Sequence, residues 1–311
     1  MAFEVLLANT RGMCAGVERA IKTVNLALNK FGPERVYVLH EVVHNFHVVS
    51  DLKAKGAHFV ESLDEVPPGS VLIFSAHGVG VNIVKKAEAL GFTIIDATCP
   101  LVKRIHFKMN KAATEGKDAV VIGHQGHQEV VGTIGQYTGD PAKVHVILTP
   151  EDVNTLNLIS DKAIFATQTT LSVDETAKTV QALKERFPFI EGPVKDDTCF
   201  ATQHRQSAIK ALAACCDLIL VAGSANSSNS NRLREVAEKA GCRAYLVEDS
   251  TKIDLNWLKD AQHIGISAGA SVPEYVVDDL LHFLKDHGMT QLKHVGEQGL
   301  VRPFALPKGL E

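Results

Sequence analysis

Two near-copies of one four-residue phrase, each ending in a cysteine, constrain the fold of this chain more than any other feature. They are Asp96-Ala97-Thr98-Cys99 and Asp196-Asp197-Thr198-Cys199, and a third cysteine, Cys14, lies in a glycine-containing turn. Apolar residues recur at steps of three and four after each cysteine, which predicts a helix there. Each thiol is therefore expected at a helix N-terminus, where the helix dipole favours negative charge. Three thiolates in the same local environment suggest that they act together as one set of anionic ligands.

Short apolar segments alternate with segments of helical period along most of the chain. The apolar segments lie at 5–8, 36–39, 71–75, 93–95, 119–122, 144–148, 163–166, 218–222, 244–247 and 264–267. This alternation predicts an α/β fold with largely parallel sheets.

Polar loops recur at matching distances after the three cysteines. His44 follows its cysteine by 30 residues, and His127 and Ser227 each follow theirs by 28 residues. A second polar loop follows in each third, at 75–78, 167–170 and 267–271. We infer three related α/β units, at 1–97, 98–195 and 196–311, the last with a C-terminal tail. Loops at the C-terminal ends of parallel strands are where ligands bind in open α/β sheets.

The charge and hydropathy of the chain exclude several classes of partner. The 311 residues carry a net charge of −4, so no strongly basic face for nucleic acid is expected. No apolar run approaches the roughly 20 residues of a membrane span. The N-terminus carries an acid, Glu4, where a signal peptide would carry bases. These features predict a cytoplasmic protein without a membrane or nucleic-acid partner.

The spacing of the three cysteines limits the metal chemistry open to them. Their gaps of 85 and 100 residues lack the close pairs of zinc sites and require ligands from separate units. Thiolate ligation of a cubane iron–sulfur cluster fits, and three thiolates instead of the usual four leave one iron open to a substrate oxygen. The alternative is three core cysteines, but their Gly-, Thr-, Asp- and Pro-rich turns favour a site. Cys215, Cys216 and Cys242 lack repeat partners, and Cys216 continues an apolar helical face, so we interpret these three as core or incidental.

Histidines stand in the polar loops of the first two units, namely His44, His77 and His127. Three imidazoles could bind a metal or, as imidazolium, a phosphate. In the third unit the equivalent position is Ser227, followed by Ser228 and Asn229, which are poor metal ligands but a good phosphate cradle at a helix start. This mixture favours phosphate over metal. The alternative for 227–231 is a flexible polar loop with a helix cap.

Glu129 stands two residues after His127. A carboxyl group beside a reduced cluster and an anionic substrate would hold its proton tightly, which suits a general acid. The alternative is an ordinary carboxylate in the first turn of a helix, and from this residue alone that alternative is favoured. Thr169 and Ser271 are hydroxyls at strand ends, and each is a weak signal by itself.

Together, these motifs resemble the 4-hydroxy-3-methylbut-2-enyl diphosphate reductase family from residue 5 to about residue 271. The matching segments are 11–17, 40–45, 74–78, 96–102, 167–172, 195–199, 226–232 and 268–271. Two departures are small: Met13 stands where Phe is expected, and Gln128 stands where the family tends to have Pro before the acid. Neither departure removes a functional atom.

The resemblance implies a cofactor, an arrangement of the units and a set of site residues. Cys14, Cys99 and Cys199 would hold one [4Fe–4S] cluster per chain, at the centre of a pseudo-threefold, trefoil-like arrangement of the three α/β units. The first strand would be associated with the third unit, and Glu129 would be the proton source. The residues implied to surround the diphosphate and hydroxymethyl group of the substrate are His44, His77, His127, Thr169, Ser227, Ser228, Asn229 and Ser271.

The implied reaction is a two-electron, two-proton reductive dehydroxylation that gives isopentenyl and dimethylallyl diphosphates, the last step of the non-mevalonate isoprenoid pathway. A small carrier such as flavodoxin or ferredoxin would deliver the electrons one at a time. We expect at least one nearby histidine to be charged when the diphosphate is bound. One rival is a non-enzymatic cluster protein, such as a redox or iron sensor, and the other is a three-histidine metallohydrolase that does not need Cys99.

Overall fold

The computed structural model describes residues 2–193, 196–297 and 302–310. Its strands are β1 (Phe3–Ala8), β2 (Val36–Leu39), β3 (His58–Val60), β4 (Val71–Phe74), β5 (Thr93–Asp96), β6 (Asp118–Ile122), β7 (Val144–Ile147), β8 (Ala163–Thr167), β9 (Leu218–Ala222), β10 (Arg243–Val247), β11 (His263–Ala268) and β12 (Met289–Val295). Its α-helices are α1 (Ala15–Phe31), α2 (Phe46–Ala54), α3 (Val81–Ala89), α4 (Pro100–Thr114), α5 (Gln128–Ile134), α6 (Pro150–Thr155), α7 (Val173–Arg186), α8 (Phe200–Ala213), α9 (Ser228–Lys239), α10 (Leu255–Leu258) and α11 (Glu274–Asp286).

The strands form three sheets, and the strand pairs of the described residues are parallel. The strand orders are β3-β2-β4-β5 in the first sheet, β7-β6-β8 in the second and β10-β9-β11-β1-β12 in the third. The predicted α/β class is confirmed. No helix in the described ranges has both the length and the apolar character needed to cross a membrane.

The three sheets repeat one topology. In each, the first strand of the segment lies between the second and the third, as β2, β6 and β9 do. A fourth segment then pairs with the outer edge of the third strand, as β5 does with β4 and β1 does with β11. In the second sheet the fourth segment is reduced to an isolated parallel bridge between Ile164 and Glu191. Each fourth segment leads along the chain to one of the three cysteines.

All ten strands predicted from apolar segments are present, and two further strands had no sequence signal. β3 is only three residues long, which is too short for an alternation of apolar and polar residues to be recognised. β12 pairs with one side of β1 and is exposed through its five central residues, so it lacks the apolar alternation of a half-buried strand. A solvent-exposed edge strand of this kind looks like a polar loop in the sequence.

The chain forms two compact units. Unit 1 contains the described residues of 1–18, 44–51 and 200–303, and unit 2 contains those of 19–43, 52–199 and 304–311. The five-stranded sheet belongs to unit 1, and the other two sheets belong to unit 2. The division at 97/98 and 195/196 expected from the sequence remains a prediction.

The five-stranded sheet of unit 1 is covered by helices on both faces. On one face, Val5 and Leu7 of β1 lie in a core cluster with side chains of α11. On the other face, Leu6 of β1 joins a cluster that includes residues of α8 and α9. Successive residues of a strand point to opposite faces, and both faces are buried here, so the strand is a continuous apolar run.

A helix begins directly after each of the three cysteines, as predicted. Cys99 is the N-cap residue of α4, and Pro100 occupies its first position, where the missing N–H of proline costs no hydrogen bond. α8 ends at Ala213, so Cys216 lies beyond the helix whose apolar face it was expected to continue. Its side chain nevertheless packs against the same core cluster.

Two glycines bring α5 against the loop that follows β4. A Cβ atom on Gly132 would lie 2.8 Å from the carbonyl oxygen of Gly78, closer than real Cβ contacts allow. Because the obstructing atom belongs to the backbone, a side chain could fit only if the loop or the helix moved. The bare helix surface at Gly132 therefore sets how closely the loop carrying His77 approaches α5.

We predict that Gly132→Ala destabilises the protein by about 1–3 kcal/mol, although alanine is normally the better helix former. The midpoint of urea unfolding measures this change. Val131→Ala, on the exposed side of the same helix, is the matched control and should change stability by no more than about 0.5 kcal/mol. Equal stability of the Gly132→Ala variant and the wild type would show that the close approach imposes no constraint.

Candidate functional site

The backbone amide of each cysteine donates a hydrogen bond to a polar loop at the end of a parallel strand, namely the loop after β11, β4 or β8. Each cysteine is thus bonded, in cyclic order, to the polar loop that precedes its own third of the sequence repeat. The pairs are Cys14 N with Ala270 O at 3.1 Å, Cys99 N with Ala76 O at 3.0 Å, and Cys199 N with Thr169 O at 3.1 Å. Each pair lies within one unit. The bond ties the start of a helix to the C-terminal edge of a parallel sheet, and it recurs in all three sheets. This recurrence gives the repeated sequence phrase a structural meaning.

The three cysteines form no disulfide with any described residue and are partly exposed, unlike the buried Cys242. Burial raises the pKa of the Cys242 thiol and, more strongly, that of Cys216, so both stay protonated at neutral pH. A protonated, buried thiol is a poor metal ligand. Burial thus argues against Cys216 and Cys242 as metal ligands, whereas Cys215 is exposed.

The predicted site residues are divided between the two units. Those in unit 2 are Cys99, Cys199, His77, His127, Glu129 and Thr169. Those in unit 1 are Cys14, His44, Ser227, Ser228, Asn229 and Ser271.

Glu129 is buried, with only 3% of its surface exposed, in the first turn of α5. Its two carboxyl oxygens accept hydrogen bonds from Thr169, one from the backbone N–H at 2.6 Å and one from the hydroxyl at 2.8 Å. Burial raises the pKa of Glu129 to about 7, although the two bonds from Thr169 act in the opposite direction; the negative charge of Asp197 adds to the rise. An exposed first-turn carboxylate would not hold its proton near neutral pH, so the structure favours the general-acid interpretation over the alternative.

Thr169 connects this carboxyl group to a cysteine. Its carbonyl accepts the amide of Cys199, while its N–H and hydroxyl hold Glu129. One residue of the second polar loop thus fixes a candidate proton donor and a candidate metal ligand. In the sequence alone Thr169 is only a weak signal, because a hydroxyl at a strand end has many possible uses.

The imidazole of His127 caps α5. Its Nδ1 accepts a hydrogen bond from the backbone N–H of Glu129 at 3.1 Å. A ring nitrogen that accepts a hydrogen bond carries no proton, so the proton of this ring lies on Nε2. His127 is therefore neutral in this arrangement, and its Nε2–H remains a hydrogen-bond donor. The ring of His77 meets that of His127 edge to face, with centroids 5.8 Å apart.

Asp197 is a functional candidate that sequence reasoning missed. Its side chain is fully buried, and its carboxylate accepts two hydrogen bonds from Lys108, at 2.9 and 3.1 Å. The backbone N–H of Thr167 donates to it as well. Asp197 directly precedes Thr198 and Cys199, where the other copy of the phrase has Ala97, and this difference between the copies was the available signal.

In unit 1, the start of α9 contains a buried amide group without partners. Asn229 is 5% exposed, and neither its amide nitrogen nor its carbonyl oxygen has a hydrogen-bond partner among the described residues. Ser227 caps the helix by accepting a hydrogen bond from the N–H of Ser230. A buried amide without protein partners costs about 1–3 kcal/mol, so this group is suited to hydrogen-bond a polar ligand. This observation favours the phosphate cradle over an ordinary capped loop.

Ser271 and His44 meet in the same unit. The Ser271 hydroxyl donates to the carbonyl oxygen of His44 at 2.9 Å. The second polar loop also passes close to α9, because a Cβ atom on Gly269 would lie 2.0 Å from the Ser230 hydroxyl. The loops predicted to surround an anion in the third sheet are therefore packed together.

Within each unit, no group of three or more described His, Cys, Asp and Glu side chains is gathered closely enough to hold a single metal ion. An iron–sulfur cluster spreads its thiolates over several iron atoms, so its ligands need not meet at one point.

Comparison with known proteins gives a consistent result. Residues 5–285 match the family described as LytB protein. A protein of Psychrobacter arcticus named 4-hydroxy-3-methylbut-2-enyl diphosphate reductase is 50% identical over 312 residues, which cover 99% of this chain and 97% of the relative. A protein of the same name from Aeromonas hydrophila is 52% identical over 285 residues, 91% of each chain.

Two solved structures are similar over almost the whole chain. The E-1-hydroxy-2-methyl-but-2-enyl-4-diphosphate reductase of Plasmodium falciparum has a TM-score of 0.94 at 36% identity, covering 100% of this chain and 97% of its own. An (E)-4-hydroxy-3-methyl-but-2-enyl diphosphate reductase, described as the terminal enzyme of the non-mevalonate pathway, has a TM-score of 0.65 at 28% identity, covering 91% and 99%. This chain, with its three matched cysteine loops, belongs to the LytB protein family.

Proposed function

We propose that this chain is a reductase that converts 4-hydroxy-3-methylbut-2-enyl diphosphate to isopentenyl and dimethylallyl diphosphates, the last step of the non-mevalonate pathway. The observation that carries the proposal is the threefold recurrence of a helix-starting cysteine bonded to a polar loop. Membership of the LytB family and relatives of about 50% identity that bear the reductase name support it. The reaction consumes two electrons and two protons and releases one water molecule.

Cys14, Cys99 and Cys199 would hold one [4Fe–4S] cluster per chain. All three are partly exposed, and each stands at a helix N-terminus that favours the thiolate form. When bound, the cluster supplies one-electron chemistry and an iron without a protein ligand. A small carrier such as flavodoxin or ferredoxin would supply the electrons.

Glu129 would deliver the proton with which the substrate hydroxyl departs as water. Burial raises its pKa to about 7, so near neutral pH it can carry a proton and give it to a leaving hydroxide. Its bonds to Thr169 fix the direction of the carboxyl group. The second proton adds to one of two allylic carbons, which accounts for two products.

The diphosphate would be bound mainly by neutral donors. The residues proposed for the diphosphate and hydroxymethyl group are His44, His77, His127, Thr169, Ser227, Ser228, Asn229 and Ser271. Of these, His127 has its proton on Nε2, and Asn229 has an amide group without partners inside the protein. Such groups satisfy phosphate oxygens without the desolvation penalty of buried charges.

We predict that Cys99→Ser loses the cluster and with it all turnover of the allylic diphosphate. Mössbauer spectra and the iron content of anaerobically purified protein measure cluster binding. Turnover of the allylic diphosphate with a chemical reductant measures activity. Cys215→Ser, at an exposed thiol, is the control and should keep both. Full activity of Cys99→Ser would contradict the assignment. A wild-type protein that holds the cluster but does not turn over the substrate would instead indicate a redox or iron sensor.

Glu129→Gln should keep the cluster and substrate binding, while turnover falls by about 10²–10⁴-fold because the amide has no proton to give. Glutamine matches the shape of the carboxyl group and can still accept the N–H of Thr169. The matched control is Glu151→Gln, which changes an exposed carboxylate at the same position in the first turn of α6. Turnover of Glu129→Gln within a few-fold of the wild type would remove Glu129 from this role.

The raised pKa of Glu129 also predicts how stability depends on pH. The folded protein keeps a proton that the unfolded chain loses above its ordinary pKa of 4.5. This contribution is fully present below pH 4.5 and is lost as the pH rises through about 7. The unfolding free energy of the wild type, measured against Glu129→Gln, should therefore fall by about 3 kcal/mol between pH 4.5 and pH 8. If urea titrations give a difference in unfolding free energy between the two proteins that does not change with pH, then burial does not raise the pKa of Glu129.

A further inference from the structure

Each helix that begins at a cysteine carries an arginine near its start, and none of the three has a role so far. They are Arg19 on α1, five residues after Cys14; Arg104 on α4, five residues after Cys99; and Arg205 on α8, six residues after Cys199. The first and last are buried, at 7% and 4% exposure. Buried guanidinium groups are costly unless their donors are satisfied, so their partners show what they hold.

Arg19 holds the loop that leads to the second cysteine. Its donors contact the carbonyl oxygens of Ala97 at 3.0 Å, Thr98 at 3.1 Å and Asp96 at 3.4 Å, and that of Ala305 at 2.6 Å. The first three are the three residues directly before Cys99. The contact with the Thr98 carbonyl places the guanidinium at the residue directly before Cys99.

Arg205 holds the loop that leads to the first cysteine. It donates to the carbonyl oxygens of Gly12 at 2.5 and 3.1 Å, Met13 at 3.2 Å and Arg11 at 3.5 Å. These are again the three residues directly before the cysteine. All of these contacts lie within unit 1.

Arg104 makes the third contact of this kind, in a weaker form. It donates to the carbonyl oxygen of Asp196 at 2.9 Å, three residues before Cys199. Its side chain is 43% exposed, and the neighbouring Lys108 holds the carboxylate of Asp197 in the same loop. Arg104 and Lys108 together hold the loop before Cys199, whereas a single buried guanidinium holds each of the other two loops.

The three contacts follow a cyclic order along the chain. The helix after Cys14 holds the loop of Cys99, the helix after Cys99 holds the loop of Cys199, and the helix after Cys199 holds the loop of Cys14. We propose that Arg19, Arg104 and Arg205 are positioning residues, each of which orients the next cysteine in this order for the cluster and places a positive charge beside it. The proposal deepens the proposed function and rests on it.

The guanidinium group suits this task because it is planar and presents five N–H donors in a fixed arrangement. A single group can therefore reach three successive carbonyl oxygens, as Arg19 and Arg205 do. An ammonium group carries the same charge but cannot match that geometry. The positive charge would also favour addition of an electron to a negatively charged cluster held by thiolates.

Hydrogen–deuterium exchange of the anaerobically purified full-length protein tests the cyclic order directly. The loops to compare are 11–16, 96–101 and 196–201. Arg19→Gln should speed exchange in 96–101 by at least about fivefold, and Arg205→Gln should have the same effect in 11–16. In each variant, exchange in the other two loops should stay within about twofold of the wild-type rate. Arg104→Gln should act on 196–201 with a smaller effect, because its side chain is half exposed.

Lys22→Gln, on the exposed face of α1, is the matched control for Arg19→Gln and should change none of the three loops. If a glutamine variant also loses protection in β9 or β4, its fold has failed. The corresponding lysine variant then replaces it, with the same selectivity expected at lower amplitude. The proposal is overturned if Arg19→Gln loosens 11–16, the loop that leads into its own helix, as much as 96–101, or if 96–101 does not respond.

The midpoint potential of the cluster separates positioning from simple support of the fold. Arg19→Gln should shift the potential to more negative values, and Arg19→Lys should stay near the wild type because the charge is kept. An unchanged midpoint potential in Arg19→Gln would overturn the proposal that Arg19 acts on the cluster, whatever the exchange data show. If the wild-type protein binds no iron at all, the proposed function fails, whereas the exchange experiment still tests the cyclic order.

Discussion

The hydrogen bond from a cysteine amide to a carbonyl oxygen at the end of a parallel strand is the contact on which the rest of the structure depends. It attaches the N-terminus of α1, α4 or α8 to the edge of a sheet where polar loops gather. Because parallel strands end at the same edge, the bond places a thiol, a helix N-terminus and a polar loop together. One small structural piece, used three times, thus brings each ligand candidate to the polar end of its sheet.

The second constraint is burial, which decides the chemistry of groups that look ordinary in the sequence. Glu129 and the exposed Glu151 occupy the same position in the first turn of their helices, α5 and α6. Only Glu129 is buried there. Removal from water raises its pKa to about 7, and Thr169 then directs it. The same residue holds Cys199, so proton donor and metal ligand share one support. A loop residue that serves two groups in this way leaves little freedom for either to move alone.

Much of the fold could be predicted, because helices and parallel strands leave periodic apolar patterns. All ten strands marked by such patterns are present, and a helix follows each cysteine. The strands without a pattern, β3 and β12, were missed, since one is very short and the other is an exposed edge. In the site, the cysteines and Asn229 were predicted from repeated spacing, but Asp197 and the three arginines were not. The arginine spacing was visible, yet nothing local showed that these side chains hold carbonyl oxygens.

The sequence by itself determined a parallel α/β chain with three cysteines at helix starts, because periodicity and capping are encoded in residues only three or four positions apart. Only the tertiary structure decided that Glu129 is buried, that His127 carries its proton on Nε2, and that Arg205 holds the loop before Cys14. These properties depend on partners far along the chain, such as the 40 residues between Glu129 and Thr169. Desolvation and long-range hydrogen bonds arise only once distant segments have packed, so no local sequence pattern predicts them.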